Sequence, residues 1–493
     1  MRIGAPRLLG WSMASLLSVA SLAVAGDVRL VEAVKNKDAE TVRTLLKRRV
    51  DVNAPQGDGA TALHWAAHWD DLHTASLIIQ AGANVNAATD LGVTPLSLAC
   101  ANGSAPMVEK LLAAGAKAEA ADSTGTTALM IAARVGGRDA VGALLARGAG
   151  VNAKETSRGQ TALMWAVSEK HPEVVRVLLE HGADVHARSH VRRLVISRGD
   201  GGGRGTAVDT LEKGGSTALL FAARQGDVAS AGLLLASGAN PNDTAPDGVS
   251  ALVMAAHSGH GELAAVLLDK GADPNAAGAG YTALHAAVLR GDLPLTHALL
   301  AHSAAPNARL TKGTPFRRNG QDFVLPQSLV GATPFWLAAR FLEVGIMRAL
   351  AAGGADPLLS LEDGASPLLG AAGIGTGSVG GAEADRRGIA LVDGARLEGE
   401  ERVLETVKLT LELGADINGA NQAGDTALHI AASKGLNTIV QFLVDKGARL
   451  DSKNKRGRTP LGITIEPPAP GLVVYQPNLK STADLLLTLG AKE

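Results

Sequence analysis

A Gly-Ala pair that follows an apolar segment recurs along the chain, and this repeat constrains the possible folds more than any other feature. Where nothing is inserted between copies, the spacing is about 33 residues. The glycines of the regular copies are Gly82, Gly115, Gly148, Gly182, Gly238, Gly271, Gly414, Gly447 and Gly490, and less regular copies lie at Arg49, Ser303 and Gly354. A residue in the left-handed conformation ends many helices, and glycine is the usual choice. Each copy therefore predicts the end of a helix.

Residues 424–461 show one complete unit. Thr426 is placed to cap a first helix, in which Ala431 and Ala432 give a small apolar face. Gly435 ends this helix, and an apolar stripe marks a second helix after it. Helices this short are marginal alone. The unit therefore needs a copy of itself on each side.

At these motifs the sequence resembles the ankyrin-repeat family. The matching segments are TALHWAA at 61–67, TPLSLAC at 94–100, TALMIAA at 127–133, TALHAAV at 282–288 and TPFWLAA at 333–339, with GADVH at 182–186, GADPN at 271–275 and GADIN at 414–418. The resemblance implies an all-α solenoid of about twelve helix-turn-helix units with β-hairpin fingers and four insertions. The segments 313–318 and 330–359, with the long insertion after them, are similar to exported bacterial ankyrin repeat proteins of unassigned function.

The repeats and the segments between them predict the organisation of the chain. It comprises a signal peptide at 1–25, an N-terminal cap and repeats at 26–187, a finger insertion at 188–213, repeats at 214–308, a second finger insertion at 309–331 and C-terminal repeats at 332–493. The C-terminal repeats carry two further insertions, near 373–402 and 466–479. These lie in turns between paired helices, at the opposite edge from the fingers, and the helices that follow them are predicted at 403–413 and 482–489.

The first residues have the pattern of a cleavable secretory signal. Arg2 and Arg7 precede an apolar or small stretch at 8–23, and Ala23 and Ala25 frame a cleavage site before Gly26. The apolar run is shorter than the roughly 20 residues that a bilayer span needs, and no later stretch is long enough either. We expect a periplasmic or secreted protein.

Composition excludes several classes of function. The net charge of −1 argues against a surface that binds nucleic acid throughout. Hydrophobic residues make up 46% of the chain but aromatic residues only 3%, a composition that suits thin, closely packed helices. Cys100, the single cysteine of the chain, is expected to be a small buried residue. One cysteine excludes internal disulfides, cysteine zinc clusters and C-x-x-C-H haem attachment. We expect no cofactor.

The family resemblance implies that a partner protein contacts the fingers and the exposed end of each first helix. At the helix ends the candidates are His68, Trp69, Arg134, Arg224, His257, Arg290, Arg340 and Phe341. In the finger insertions they are Arg192, Arg193, Arg317 and Arg318. The two finger insertions together hold ten basic and four acidic residues. A surface with an excess of positive charge attracts a negatively charged partner. We therefore expect the partner to present an anionic surface.

Other interpretations remain open. His64, His68 and His73 suggest a zinc site, although the resemblance implies that His64 hydrogen-bonds between loops. The glycine pattern at 375–380 matches a dinucleotide fingerprint, but it follows a helix rather than a strand. The favoured function is a protein-binding scaffold without catalytic activity. The alternatives are an enzyme whose site is formed by the insertions and a structural envelope spacer. We expect a monomer whose apolar C-terminal segment, 485–489, is covered by its own loop at 466–478 rather than by another chain.

Overall fold

The computed structural model describes residues 27–198, 207–313, 329–373, 395–465 and 479–492. The predicted signal peptide at 1–25, the glycine pattern at 375–380 and most of the second finger and both turn insertions lie outside the described residues. Within them, short helices follow one another in pairs, and the two strands form one hairpin. The prediction of an all-α solenoid of helix-turn-helix repeats is confirmed.

The chain divides into two compact units, Met1–Ser123 and Thr124–Glu493. The helices of the first unit are α1 (Arg29–Lys35), α2 (Ala39–Lys47), α3 (Ala62–His68), α4 (Leu72–Gln80), α5 (Pro95–Ala101) and α6 (Ala105–Ala113). Those of the second unit are α7 (Ala128–Val135), α8 (Arg138–Ala146), α9 (Ala162–Ser168), α10 (Pro172–Glu180), α11 (Ala218–Gln225), α12 (Val228–Ala236), α13 (Ala251–Ser258), α14 (Gly261–Asp269), α15 (Ala283–Arg290), α16 (Leu293–Ala301), α17 (Pro334–Arg340), α18 (Val344–Ala352), α19 (Pro367–Ala372), α20 (Ala395–Glu412), α21 (Ala427–Lys434), α22 (Asn437–Asp445), α23 (Pro460–Ile465) and α24 (Lys480–Thr488). Strands β1 (Arg192–Arg198) and β2 (Ala207–Lys213) also belong to the second unit and pair antiparallel.

Most first helices begin at a threonine or serine, as the motifs predict. At α21 the Thr426 hydroxyl accepts a hydrogen bond from the His429 amide at 3.4 Å, and His429 Nδ1 accepts one from the Thr426 amide at 3.2 Å. The two bonds satisfy amides that no helical carbonyl reaches. Thr217 of α11 stands at the same position without a side-chain cap.

Second helices end at a residue in the left-handed conformation. The φ angle is 94° at Gly447 and 86° at Gly354. Where the repeat lacks glycine, Arg49 and Ser303 adopt the conformation at 53° and 65°. The less regular copies of the repeat therefore end their helices in the same way.

Asparagine side chains connect neighbouring repeats. Asn152 Nδ2 donates to the Gly182 carbonyl at 3.1 Å. Asn307 makes the equivalent bond to the Gly354 carbonyl at 3.3 Å, and its Oδ1 accepts from the Asp356 amide at 2.8 Å. The last two bonds join repeats on either side of the second finger insertion, so the stack continues directly across it.

Small and branched side chains form the core of the C-terminal repeats. Ala431 and Ala432 are fully buried, and Leu443 of α22 packs in the same cluster. Leu486 of α24 belongs to this cluster, whereas Leu487 is 43% exposed. The loop expected to cover this end, 466–478, lies outside the described residues.

Helix α20 is longer than the other second helices. It begins at Ala395 rather than at 403 and spans 18 residues, whereas α22 spans 9. The added segment, ARLEGEER, is rich in strong helix formers. The second helix therefore extends into the turn insertion.

Candidate functional site

The residues predicted to contact a partner lie at opposite ends of the first helices. Arg134, Arg224 and Arg340 lie in the last turn of α7, α11 and α17. Arg192 and Arg193 open β1, in the finger that precedes α11. A first helix of eight residues, such as α7, is about 12 Å long. The structure therefore separates the predicted residues into two surfaces, the first-helix edge and the finger hairpin β1–β2.

The first-helix edge is continuous within the second unit. Helices α7, α9, α11, α13, α15 and α17 each contact the next in this order, so their C-terminal ends line one edge. The candidates on it differ in exposure: Arg134 and Arg224 are exposed, and His257, Arg290, Arg340 and Phe341 are half-buried.

Two histidines that the sequence analysis did not assign fix the backbone of this edge. His171 Nε2 donates to the Arg134 carbonyl at 3.0 Å, and His260 Nε2 donates to the Arg224 carbonyl at 3.1 Å. Each histidine stands at the N-cap of the following repeat's second helix but makes no capping bond there. At Gly136 an added Cβ would lie 2.7 Å from the His171 ring. An alignment of the repeats places His171 and His260 at one position. It does not predict their bonds to the Arg134 and Arg224 carbonyls, because each ring needs the space left by a glycine of the preceding repeat.

Aromatic rings and a carbonyl orient the arginines of the edge. The Arg134 guanidinium lies over the Trp165 ring, 5.0 Å from its centroid, and that of Arg224 lies 5.9 Å from the Phe221 centroid. Arg290 Nε donates to the carbonyl of His257 at 2.7 Å. Trp165 thus restricts the Arg134 guanidinium through its face, whereas a carboxylate binds a guanidinium through the in-plane N–H groups.

The extended part of α20 reaches the same edge. Arg402 Nη2 donates to the Leu342 carbonyl at 3.2 Å and lies 4.0 Å from a Glu343 carboxylate oxygen. Leu342 follows the candidate Phe341. The turn insertion therefore adjoins the first-helix edge, at the end of the helices away from the fingers.

Two arginines close the bases of the finger insertions. Arg188 Nη1 donates to the carbonyls of Gly215 and Thr244 at 2.8 and 2.9 Å. Arg309 Nη1 does the same with Gly331 and Ser360 at 2.8 and 3.0 Å. Both arginines belong to the basic excess that the sequence predicts to project from the fingers. In the structure they bind main-chain carbonyls at the base of each finger.

The remaining finger candidates differ in their surroundings. Arg192 and Arg193 are exposed, and Arg193 Nε lies 3.3 Å from a carboxylate oxygen of Glu212 on β2. Arg317 and Arg318 lie outside the described residues.

The first unit carries an aromatic cluster at its own helix ends. His68 and Trp69 have ring centroids 4.6 Å apart, and the Trp69 ring lies 6.2 Å from that of Trp65. Lys35 Nζ lies 5.3 Å from the Trp65 centroid and Lys37 Nζ lies 4.1 Å from that of Trp69. Trp69 remains 39% exposed. Both predicted residues of this unit therefore belong to one cation-flanked aromatic patch.

Comparison with known proteins identifies the repeat. The family model described as ankyrin repeats in three copies matches residues 30–122, 105–189, 191–277, 219–310 and 398–466, which together make up more than half of the chain. The chain belongs to the ankyrin-repeat family. Ankyrin repeats are scaffolds for protein–protein interaction, which agrees with the exposed helix ends.

Individual ankyrin proteins are similar over shorter segments. Protein phosphatase 1 regulatory subunit 27 from Homo sapiens is 42% identical over 73 residues, 15% of this chain and 46% of that protein. B-cell lymphoma 3 protein from Homo sapiens is 32% identical over 192 residues, 38% of this chain and 33% of that protein. Serine/threonine-protein kinase 12 from Arabidopsis thaliana is 33% identical over 81 residues, 15% of this chain and 18% of that protein. The chain thus spans about half of the first relative and less of the other two.

His64 has the inter-loop role that the ankyrin resemblance implies. Its Nδ1 accepts from the Thr61 amide and its Nε2 donates to the Val93 carbonyl, both at 3.0 Å. Burial lowers the His64 pKa, which favours this neutral form. Both ring nitrogens are thus engaged within the repeats, and the described residues contain no cluster of three or more His, Cys, Asp or Glu arranged to hold a metal.

Cys100 replaces the second alanine of an ankyrin Ala-Ala pair. Its side chain is fully buried, as expected, and burial raises the pKa of the thiol to about 12. A thiol in this state is a poor nucleophile because the thiolate is the reactive form. Among the described helices, none combines the length and apolar character required to cross a bilayer.

Proposed function

We propose that this ankyrin protein is an exported scaffold that binds an anionic surface of another protein along the first-helix edge. The supporting observation is that four of the six first helices from α7 to α17 carry an arginine in their last turn, while α13 carries His257 there. Arg134, Arg224, Arg290 and Arg340 occupy one edge of the second unit, where α9 contributes Glu169. Guanidinium groups spaced along one edge suit a series of carboxylates on a partner.

The orientation of these arginines favours binding over simple solvation. Arg134 is held over Trp165, and its own carbonyl is bound by His171. A guanidinium that is already oriented loses less side-chain entropy when it binds a carboxylate. Arginines that only solvate the surface have no need of such fixed positions.

The test compares capture of partners by two triple variants. The first changes Arg134, Arg224 and Arg340 to Gln on the first-helix edge. The control changes Arg138, Arg176 and Arg348 to Gln, which are exposed on the second helices α8, α10 and α18. Both variants lose the same charge, so an effect of net charge alone would be equal. Proteins captured from a periplasmic extract by the wild type are identified by mass spectrometry, and their affinity for each variant is measured.

We expect the edge variant to bind a captured partner roughly tenfold or more weakly and the control variant to bind like the wild type. Wild-type affinity should also fall with salt, since exposed charges are screened over about 10 Å at 0.1 M. Equal binding by both triple variants would refute the first-helix edge as the binding surface.

The finger arginines make a second contact in this proposal. A variant with Arg192, Arg193, Arg317 and Arg318 changed to Ser should associate more slowly with the same partner, because these charges steer the encounter. An unchanged, salt-independent association rate would remove the fingers from the binding surface.

A further inference from the structure

The finger hairpin β1–β2 exposes apolar side chains that the repeat fold does not require. Val191 is 50% exposed, Leu194 40% and Val195 69%. Successive residues of a strand point to opposite faces, and the run from Arg192 to Val195 is exposed throughout. Both faces of this part of β1 therefore contact solvent.

The hairpin is joined to the repeats at its base. Among the described elements, the extensive contacts of each strand are with the other strand. At the base, the Ser189 amide donates to the Ser216 carbonyl, and the Ser216 amide donates to the Ser189 hydroxyl, both at 3.1 Å. Arg188 closes the same base. The base of the hairpin is therefore anchored to the repeats.

A two-stranded ribbon is an incomplete sheet. Each strand has one outer edge, along which alternate N–H and C=O groups point away from the partner strand. Such hairpins are marginally stable in water, and a third strand stabilises them. The sequence of β1, RRLVISR, contains no proline or glycine to disrupt pairing along its edge.

We propose that the outer edge of β1 binds an extended segment of the partner protein as a third strand, and that this segment places acidic residues beside Arg192 and Arg193 and apolar residues beside Leu194 and Val195. The proposal rests on the protein-binding function above and specifies the kind of segment that the finger recognises. Main-chain hydrogen bonds supply affinity in this mode of binding, and side-chain positions supply specificity.

Charge determines the choice of occupant. Arg192, Arg193 and Lys213 lie at the base of the ribbon, and Glu212, on the opposite strand, is paired with Arg193. A second copy of this chain would set arginines against arginines, and like charges across a strand pair are destabilising. A pair of consecutive acidic residues would neutralise Arg192 and Arg193, one on each face of the ribbon, and an adjoining apolar pair would cover Leu194 and Val195.

The probe is a fluorescent synthetic peptide in which pairs of glutamates alternate with pairs of valines, and its binding is measured by anisotropy. The wild type should bind it, and Val195→Pro should weaken binding by roughly tenfold because proline removes an amide and bends the edge. The control is Leu358→Ser, which changes an exposed apolar residue outside the hairpin, 52% exposed, and should leave peptide binding unchanged. Hydrogen exchange in α9 and α11 tests whether Val195→Pro leaves the repeats folded.

Two modified peptides separate strand pairing from charge attraction. Each carries N-methyl groups on alternate residues, in one register or the other, with the same charge. Strand pairing on one edge requires that one register abolish binding and the other preserve it. Equal binding of both peptides, or of Val195→Pro and wild type, would overturn the proposal.

The same probe distinguishes this inference from the proposed function. The triple variant at Arg134, Arg224 and Arg340 should bind the peptide like the wild type, because these residues lie at the other end of the first helices. If the triple variant loses the captured partner while Val195→Pro binds the peptide normally, the first-helix edge stands and the strand-docking proposal fails. If Val195→Pro loses the peptide while the triple variant keeps the captured partner, the strand-docking proposal stands and the first-helix edge fails.

Discussion

Buried histidines join the start of one ankyrin repeat to the next at the scale of single residues. His285 is fully buried; its Nδ1 accepts from the Thr282 amide at 3.2 Å and its Nε2 donates to the Ala332 carbonyl at 3.3 Å. Burial lowers its pKa from 6.5 to about 4, and it also lowers the pKa values of His64 and His429. The folded chain therefore binds these protons more weakly than the unfolded chain does.

This difference in pKa predicts an acid-sensitive fold. The neutral, buried form of His285 contributes its full stabilisation to the folded chain above pH 6.5. This contribution is lost as the pH falls toward 4, because the unfolded chain then binds a proton that the folded chain does not. Between about pH 7.5 and pH 5, His285 alone should cost about 2 kcal/mol of the free energy of unfolding. Urea unfolding at both pH values measures the loss.

A histidine variant checks the origin of that loss. His285→Asn should be less stable than the wild type at neutral pH, yet lose about 2 kcal/mol less on acidification. His186→Asn, which changes an exposed histidine, should lose as much as the wild type. If His285→Asn shows the full acid loss, another group causes it.

Ser303 offers a stabilising substitution. It holds a φ of 65° at the position where other repeats have glycine, and a left-handed conformation costs a residue with a Cβ about 1–2 kcal/mol. Ser303→Gly removes that cost but adds entropy to the unfolded chain, so we expect a net gain of about 0.5–1 kcal/mol.

Thermal unfolding monitored by circular dichroism measures this gain. Ala298→Gly, in the interior of α16, should instead lose about 1 kcal/mol. A loss in both variants would mean that the serine side chain itself stabilises the loop.

At the scale of elements, local chemistry made the repeats predictable from the sequence. Thr426 and Gly447 mark a helix start and a helix end because capping and left-handed φ depend on neighbouring residues alone. The start of α20 at Ala395 was missed because its helix-forming residues lie in a segment that the motif defines as an insertion. The roles of Arg188 and His171 were missed because their bonding partners lie in other repeats.

The element scale also carries a stability prediction. Leu267 of α14 is fully buried, and Leu267→Ala should cost roughly 2–5 kcal/mol. Each repeat contacts its neighbours only, so hydrogen exchange should accelerate in α12 to α16 and remain slow in α21 and α22. The exposed-site variant Leu358→Ala should change stability by less than about 0.5 kcal/mol. Uniform loss of protection along the second unit would contradict nearest-neighbour stability.

At the scale of the whole molecule, export is predicted from the sequence of a segment outside the described residues. The basic start, the apolar stretch at 8–23 and the residues Ala23 and Ala25 predict cleavage before Gly26. N-terminal sequencing of the protein from a fractionated host should find Gly26 first in the periplasmic or secreted fraction. Recovery of a soluble cytoplasmic product that retains Met1 would refute export.

The arginine closures at the finger bases have an evolutionary consequence. Arg188 and Arg309 each bind the carbonyl at the far end of an insertion, and Asn307 joins the repeats on either side of one. Whatever lies between such closures can change in length and sequence while the helices keep their neighbours. The finger positions are thus exchangeable sites, where a lineage could acquire a new partner, or an engineer could graft a foreign loop, without redesigning the stack.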